Sequence, residues 1–81
     1  MGIPLILQHV FTTVLGAECA SMITLESTMH DVPGWDSVTY MAIIAALEDS
    51  THVRFSPIEA LRMTSVRGIL AVLSDRQVPV A

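Results

Sequence analysis

SVTYMAIIAALEDS, residues 37–50, has the clearest helical pattern in the chain. Two apolar stripes run along it at helical spacing. The first stripe consists of Val38, Met41, Ala42 and Ala45, and the second of Tyr40, Ile43, Ile44 and Leu47. A helix that is apolar on nearly all sides either lies at the centre of a core or offers a face to a partner. We therefore expect a core helix over 37–50 whose remaining apolar face is a contact surface.

Two further helices are predicted, one before this helix in the chain and one after it. Residues 4–15 place apolar side chains at i, i+3, i+4 and i+7 and end at Gly16, which suits the position after a helix. The sequence Ser-Pro-Ile-Glu from Ser56 to Glu59 is a capping box with proline at the first helical position. It predicts a short helix over 57–62.

A last helix is expected after Thr64 and Ser65, either of which can cap it. Its apolar residues again recur at i, i+3, i+4 and i+7. Gly68 lies inside this helix and costs it about 1 kcal/mol relative to alanine. Residues 73–81 are expected to form a frayed tail.

The segment 17–36 has no sustained hydrophobic period. A connection of about 20 residues is unusual in a compact domain and is often functional. Its scattered apolar residues would pin it onto the core, and it leaves room for a short turn of helix. With no strand alternation anywhere, the predicted fold is all-α. It is one domain over 1–81, a small four-helix bundle with a long loop between its first and second helices and a short third helix.

The charge distribution is uneven along the chain. The net charge is -4 and lysine is absent, so the four basic residues are all arginine. Residues 1–50 contain six carboxylates and no arginine. An acidic first half disfavours nucleic acid, which requires a basic footprint. It favours partners with basic surfaces through electrostatic steering.

Several classes of protein are disfavoured by what the chain lacks. Cys19 is the single cysteine, so no internal disulfide can form, and a reducing, cytoplasmic setting fits best. No apolar run reaches the ~18 residues of a membrane span, and no signal peptide is expected. The histidines His9, His30 and His52 are widely spaced, so no metal site is predicted.

Ser37, at the start of the central helix, has three possible roles: a helix cap, an attachment point for a phosphate group, or a catalytic nucleophile. Either Asp36 or Ser37 can cap the helix. The free N–H groups of the helix start would also suit a phosphate attached to Ser37. A hydrolytic triad with His30 and Asp31 is disfavoured, because so small a domain has little room for an oxyanion hole and pocket.

The context of Ser37 carries a resemblance to a known family. The sequence DVPGWDSVTYMAIIAALED, residues 31–49, resembles the prosthetic-group site of acyl carrier proteins, with Val38 in place of the usual leucine. Leu47 and Glu48 match the family's apolar and acidic pair further along the helix. VRFSPIEALRMTSVRGILAVL, residues 53–73, is similar to the family's third and fourth helices. The long loop before the motif also fits.

The resemblance implies a function. A phosphopantetheinyl transferase would attach 4'-phosphopantetheine from coenzyme A to Ser37, with Asp36 and Val38 flanking the site. The arm would carry acyl groups as thioesters between acyl-loading and acyl-transfer enzymes. The protein itself would be a cytoplasmic monomer that catalyses nothing.

The chain departs from fatty-acid-synthesis carriers along the central helix. Thr39 and Ala42 stand where acids are frequent in those carriers, and a face with Ala46 suggests apolar contact with dedicated enzymes. The residues expected to meet partners are Trp35, Thr39, Ala42, Glu48 and Asp49. We therefore expect a carrier of a specialised pathway, such as secondary metabolism. An aminoacyl or peptidyl carrier, and an unmodified adaptor that binds a partner through helix 37–50, remain as alternatives.

Overall fold

The computed structural model describes residues 3–78, and five helices lie within them. They are α1 (Leu5–Leu15), α2 (Ala17–Ala20), α3 (Ser37–Thr51), α4 (Pro57–Leu61) and α5 (Val66–Asp75). Over these residues the only strand-like pairing is a single antiparallel bridge between Thr28 and Ser65. The all-α prediction is confirmed, and each of the predicted helices is present with its bounds shifted by no more than a few residues.

The short helix α2 is a fifth element that falls inside the segment predicted as a loop. It follows α1 directly, and Gly16 separates the two helices with a φ of +93°. Positive φ is readily reached by glycine and strained for residues with a Cβ. The chain therefore turns at Gly16, and the connection that precedes α3 shortens to residues 21–36.

The core is mostly aliphatic, and its buried side chains come from α1, α2, α3, α5 and the segments between them, with none from α4. The completely or almost completely buried side chains are Ile3, Leu7, Val10, Phe11, Ala20, Ile23, Trp35, Ile43, Leu47, Met63, Val66, Ile69, Val72 and Leu73. Phe11 of α1 and Trp35 before α3 make its aromatic contact, with ring centroids 5.1 Å apart. Such tilted aromatic pairs stabilise beyond the area they bury. The contact therefore fixes the end of the loop, and with it the start of α3, against α1.

The long loop is also fastened to the start of α5. The backbone N–H of Met29 donates to the carbonyl of Thr64 at 2.8 Å, and that of Val66 donates to Ser27 at 3.0 Å. The Arg67 guanidinium pairs with the Glu26 carboxylate across the same junction. These contacts satisfy backbone groups that a loop lying on a core would otherwise leave without partners.

Gly68 has a packing role in α5 that the sequence does not reveal. A Cβ built on this residue would lie 1.9 Å from the carbonyl oxygen of Arg62, well inside van der Waals distance. Ser65 caps the helix by accepting the Gly68 N–H at 3.0 Å. The backbone at Arg62 therefore passes close to Gly68 in the first turn of α5. The expectation that glycine destabilises this helix relative to alanine is wrong at this position, because alanine would collide with the Arg62 carbonyl.

Residue 73 does not begin a frayed tail. Leu73 is completely buried and α5 continues to Asp75. The N–H of Val78 then donates to the Leu73 carbonyl at 2.9 Å. Burial of Leu73 holds the last turn of α5 on the core, so fraying from residue 73 is corrected. Residues 79–81 of the predicted tail lie outside the described residues.

Candidate functional site

Asp36 caps α3, and Ser37 does not. The Asp36 carboxylate accepts the N–H groups of Val38 at 3.0 Å and Thr39 at 3.1 Å. In return the Thr39 hydroxyl accepts the N–H of Asp36 at 2.8 Å. A reciprocal capping box of this kind satisfies helix-end donors from both sides. Of the two candidates for the cap, the structure selects Asp36.

Ser37 is the first residue of α3, and its side chain takes no part in the cap. Its side chain is exposed, and no hydrogen bond of its hydroxyl to another residue is found within 3–78. Its backbone N–H has no intramolecular partner there either, whereas the N–H groups of Val38 and Thr39 donate to the Asp36 carboxylate. The residue therefore presents a hydroxyl and an N–H together at the positive end of a helix of 15 residues.

Trp35 sets the position of this helix start from inside the core. Its side chain is 2% exposed and packs on Phe11. Its indole N–H is buried with no hydrogen-bond partner among the described residues. As a residue expected to meet partners, Trp35 has no surface to offer in this conformation. Instead it anchors the incoming loop to the core through its contact with Phe11.

The electrostatics at the site are dominated by the capping carboxylate. The backbone N–H of Thr39, assisted by that of Val38, holds the pKa of Asp36 below its ordinary value of 3.8. Hydrogen bonds to the charged form favour it. Asp36 is therefore ionised at neutral pH, and the cap carries a full negative charge next to Ser37.

The two apolar stripes of α3 separate cleanly between core and solvent. Ile43 and Leu47 are buried, with Tyr40 and Ile44 packed against them. The other stripe, Val38, Met41, Ala42 and Ala45, is exposed along its whole length. We call it the α3 stripe. Val38 and Met41 are its large members and are 76% and 65% exposed.

Helix α4 adds to this exposed apolar surface. The Tyr40 hydroxyl donates to the Ala60 carbonyl and so ties α4 to the first turns of α3. Ile58 and Leu61 of α4 are both largely exposed. Sequence reasoning missed these two residues, although their i, i+3 spacing in a short capped helix is the signal that could have revealed them. The hydrogen bond from Tyr40 to Ala60 thus joins the two helices, α3 and α4, that carry these exposed apolar residues.

The remaining predicted recognition residues differ in how accessible they are. Ala42 and Asp49 are exposed, whereas Thr39 is half-buried and committed to the capping box. The Glu48 carboxylate is half-buried and accepts the N–H of Phe55 at 2.9 Å. It therefore fastens the turn after α3. The predicted face through Thr39, Ala42 and Ala46 also turns partly inward, because Ala46 packs against the core.

The side-chain groupings that a serine nucleophile or a metal ion would need are not found among the described residues. No histidine or carboxylate hydrogen-bonds to Ser37 in the described part of the chain, and a Ser nucleophile requires a base in reach. Asp31 instead accepts the hydroxyl of Thr28 at 2.9 Å. Between residues 3 and 78 no group of three or more potential ligands could hold a metal ion. His9, His30 and His52 are all exposed.

The longest helix found between residues 3 and 78 is α3, and neither it nor any other helix there has the length and apolarity to cross a bilayer. Comparisons with protein-family models, curated proteins and solved structures return no significant match for this chain.

Proposed function

We propose that this chain is a carrier protein and that Ser37 is the attachment point of a 4'-phosphopantetheine arm. The proposal rests on which residues make the capping hydrogen bonds at the start of α3. Asp36 and Thr39 complete the cap, and Ser37 is left exposed with its hydroxyl unused. A serine needed as a cap would lose that role on modification, whereas this one can be modified without disturbing the helix.

The residues around Ser37 fit a phosphodiester. Its N–H is free among the described residues and points from a helix N-terminus, where backbone donors and the helix dipole favour an anion. The site is exposed, so solvent and salt screen the charge of the neighbouring Asp36. The fit requires no movement of the buried Trp35 that anchors the loop.

In this proposal the arm supplies a terminal thiol that holds acyl groups as thioesters. The chain itself contributes position and recognition. The proposal assigns α1, α3, α4 and α5 to the four helices of a carrier, with Ser37 at the start of α3 as the point from which the arm extends. The chain catalyses no reaction and meets in turn the transferase that loads the arm and the enzymes that load and remove the acyl group.

The α3 stripe is the surface through which we propose that those enzymes are recognised. It begins at Val38, next to the attachment point, and continues through Met41 on the following turn. Its side chains are aliphatic, and Asp49 is the exposed acid near the end of the helix. Binding through such a face depends on burial of apolar area more than on ion pairs. This supports dedicated partners in a specialised pathway.

The test of modification is direct. The full chain is incubated with coenzyme A and a broad-specificity phosphopantetheinyl transferase, and its intact mass is measured. We expect a gain of one phosphopantetheine group in the native chain and no gain in Ser37→Ala. Ser50→Ala is the matched control, because Ser50 is exposed at the other end of the same helix, and it should be modified like the native chain. No gain in the native chain, or a gain in Ser37→Ala, would contradict the proposal.

The exposed α3 stripe also supports a second function, an adaptor that binds a partner without modification. An apolar patch of this kind marks interaction surfaces in general. The two functions differ in which variant abolishes activity in the native host. A carrier loses activity in Ser37→Ala, whereas an adaptor keeps it in Ser37→Ala and loses it in Met41→Asp. Thr13→Asp, on the exposed side of α1, is the control for the added charge.

The nature of the cargo separates acyl from aminoacyl or peptidyl carriers. The intact mass of the chain isolated from its native host would give the mass of the arm together with its cargo. An acyl group is expected under the first proposal, and an amino-acid residue on the arm would favour the peptidyl type.

A further inference from the structure

A cavity opens on a different part of the molecule, between the end of α1, the helix α2 and the loop that follows it. Its volume is about 390 Å³, within the range of roughly 300–1,000 Å³ that is usual for small-molecule sites. The residues that line it fall between Leu15 and Pro33. They include neither Ser37 nor any residue of α3. We call it the α1–loop cavity.

The wall of this cavity is largely apolar. Leu15 at the end of α1, Ile23 at the start of the loop and Val32 near its end all line it. Each of the three is buried or packed against the buried core, so the wall is held in place. Met22 also lines the cavity but is 74% exposed. An unbranched, exposed methionine can adapt its shape to what it covers.

Two carboxylates, Glu18 and Asp31, line the same cavity. Neither has a basic partner in the described part of the chain. The ion pairs found there join Arg62 to Asp75, Arg67 to Glu26 and Arg76 to Glu59. One oxygen of Asp31 accepts the hydroxyl of Thr28 at 2.9 Å, which leaves its other oxygen without a protein donor there.

The shortage of basic partners is built into the sequence. Residues 1–50 contain no lysine or arginine, so the segment that forms the cavity supplies negative charge alone. A carboxylate bonded to a cation makes a shorter and stronger hydrogen bond than one bonded to a neutral donor. An apolar wall with two carboxylates and no basic residue is complementary to a molecule with an apolar body and a cationic end.

We infer that the α1–loop cavity binds a small organic cation of the primary alkylammonium class. Its alkyl chain lies against Leu15, Ile23 and Val32, and its ammonium group is bound by Glu18 and Asp31. An alkanoate of the same length is repelled by the two carboxylates. A neutral alcohol buries the same apolar area but forms no charge-assisted hydrogen bond. The inference is independent of the function proposed for Ser37.

The first experiment compares three probes of one chain length on the full, unmodified protein. Amide chemical shifts are followed by NMR at about pH 7.5, where n-hexylamine is protonated. We expect n-hexylamine to saturate shifts confined to the residues around the cavity, with a Kd about tenfold lower than that of n-hexanol, as one charge-assisted hydrogen bond would give. n-Hexanoate should not bind. Equal affinity of the amine and the alcohol, or shifts spread over the whole chain, would overturn the inference.

Charge-neutral variants assign the effect to the two carboxylates. In the double variant Glu18→Gln and Asp31→Asn, we expect the affinity for n-hexylamine to fall about tenfold, to the level of n-hexanol, with the alcohol unchanged. Asp49→Asn removes a negative charge from an exposed residue outside the cavity and should leave the Kd for the amine as it is. An equal loss of affinity for n-hexylamine in Asp49→Asn would mean that binding depends only on the net charge of the protein, and this result would overturn the inference.

The reaction rate of the Cys19 thiol measures binding on the native chain. This measurement tests the inference even if the double variant does not fold. Cys19 lines the cavity, and its thiol donates to the Pro33 carbonyl at 3.3 Å. A bound amine should therefore slow the reaction of this thiol with a neutral dipyridyl disulfide, and n-hexanol at the same concentration should slow it less. A rate that n-hexylamine leaves unchanged would also overturn the inference.

Discussion

Asp36 and Thr39 cap each other at the start of α3. The N–H of Asp36 donates to the Thr39 hydroxyl at 2.8 Å, and the N–H of Thr39 donates to the Asp36 carboxylate at 3.1 Å. Ser37 lies between them in the chain and takes part in neither bond. The helix start is therefore stabilised by one residue on each side of the residue proposed to be modified.

The first prediction concerns the stability of variants at this cap. Ser37→Ala should change the free energy of unfolding by less than about 0.5 kcal/mol, as is usual for exposed side chains without partners. Asp36→Ala should lower it clearly more, because the N–H groups of Val38 and Thr39 lose their acceptor. Urea unfolding of both variants measures the difference. A larger loss in Ser37→Ala than in Asp36→Ala would show that the cap has been assigned to the wrong residue.

The second prediction is a pH dependence from the same carboxylate. The pKa of Asp36 is lowered in the folded chain from its ordinary value of 3.8, chiefly by the N–H of Thr39. Its contribution to stability is therefore fully present above that ordinary value and is lost as the pH falls through the lowered pKa. Asp36→Asn retains a capping oxygen but does not titrate.

Thermal unfolding of the native chain and of Asp36→Asn between pH 7 and pH 2 checks this prediction. The native chain should lose more stability on acidification than the variant does. Glu59 contributes a separate acid-sensitive step in both proteins, because its pKa is lowered by the N–H of Ser56. Identical pH profiles of the two proteins would contradict the assignment to Asp36.

The third prediction concerns Gly68. Helix propensity alone would make Gly68→Ala stabilising by about 1 kcal/mol. The close approach of the Arg62 carbonyl reverses the sign, since an added Cβ would lie 1.9 Å from its oxygen. Overpacking of this kind costs about 1–3 kcal/mol. Chemical denaturation of Gly68→Ala decides between the two signs.

The fourth prediction tests which face of α3 is buried. Leu47 is completely buried, so Leu47→Ala should cost about 2–5 kcal/mol of unfolding free energy. Met41 lies on the exposed α3 stripe of the same helix, and Met41→Ala should cost less than about 0.5 kcal/mol. Comparable losses in the two variants would mean that the α3 stripe is covered by part of the protein itself.

Much of the secondary structure follows from local sequence. The capping box from Ser56 to Glu59 is present as predicted, with Ser56 accepting the Glu59 N–H at 3.2 Å and the Glu59 carboxylate accepting the Ser56 N–H at 2.9 Å. The hydrogen bonds of such a box join residues three apart, so the pattern can be recognised without knowing the fold. The same holds for the start of α3 and for the periodicity of α1.

The candidate site was located by sequence only in part. The position of Ser37 at a helix start follows from the residues around it, as does the presence of a surplus apolar stripe on α3. The roles of Trp35, Thr39 and Glu48 do not. Each makes a contact within the chain that the sequence does not reveal: Trp35 with Phe11, Thr39 with Asp36 and Glu48 with Phe55.

The sequence by itself determined the all-α class, the order of the longer helices and the exposed serine at the start of α3, because caps and hydrophobic periods act over a few residues. Three features depend on tertiary packing: which stripe of α3 faces solvent, the close approach of the Arg62 carbonyl to Gly68, and the cavity that Glu18 and Asp31 share with Leu15. Each of these depends on residues in different elements or loops that come together only when the chain has packed. Burial and close approach are properties of the packed chain, and no local pattern encodes them.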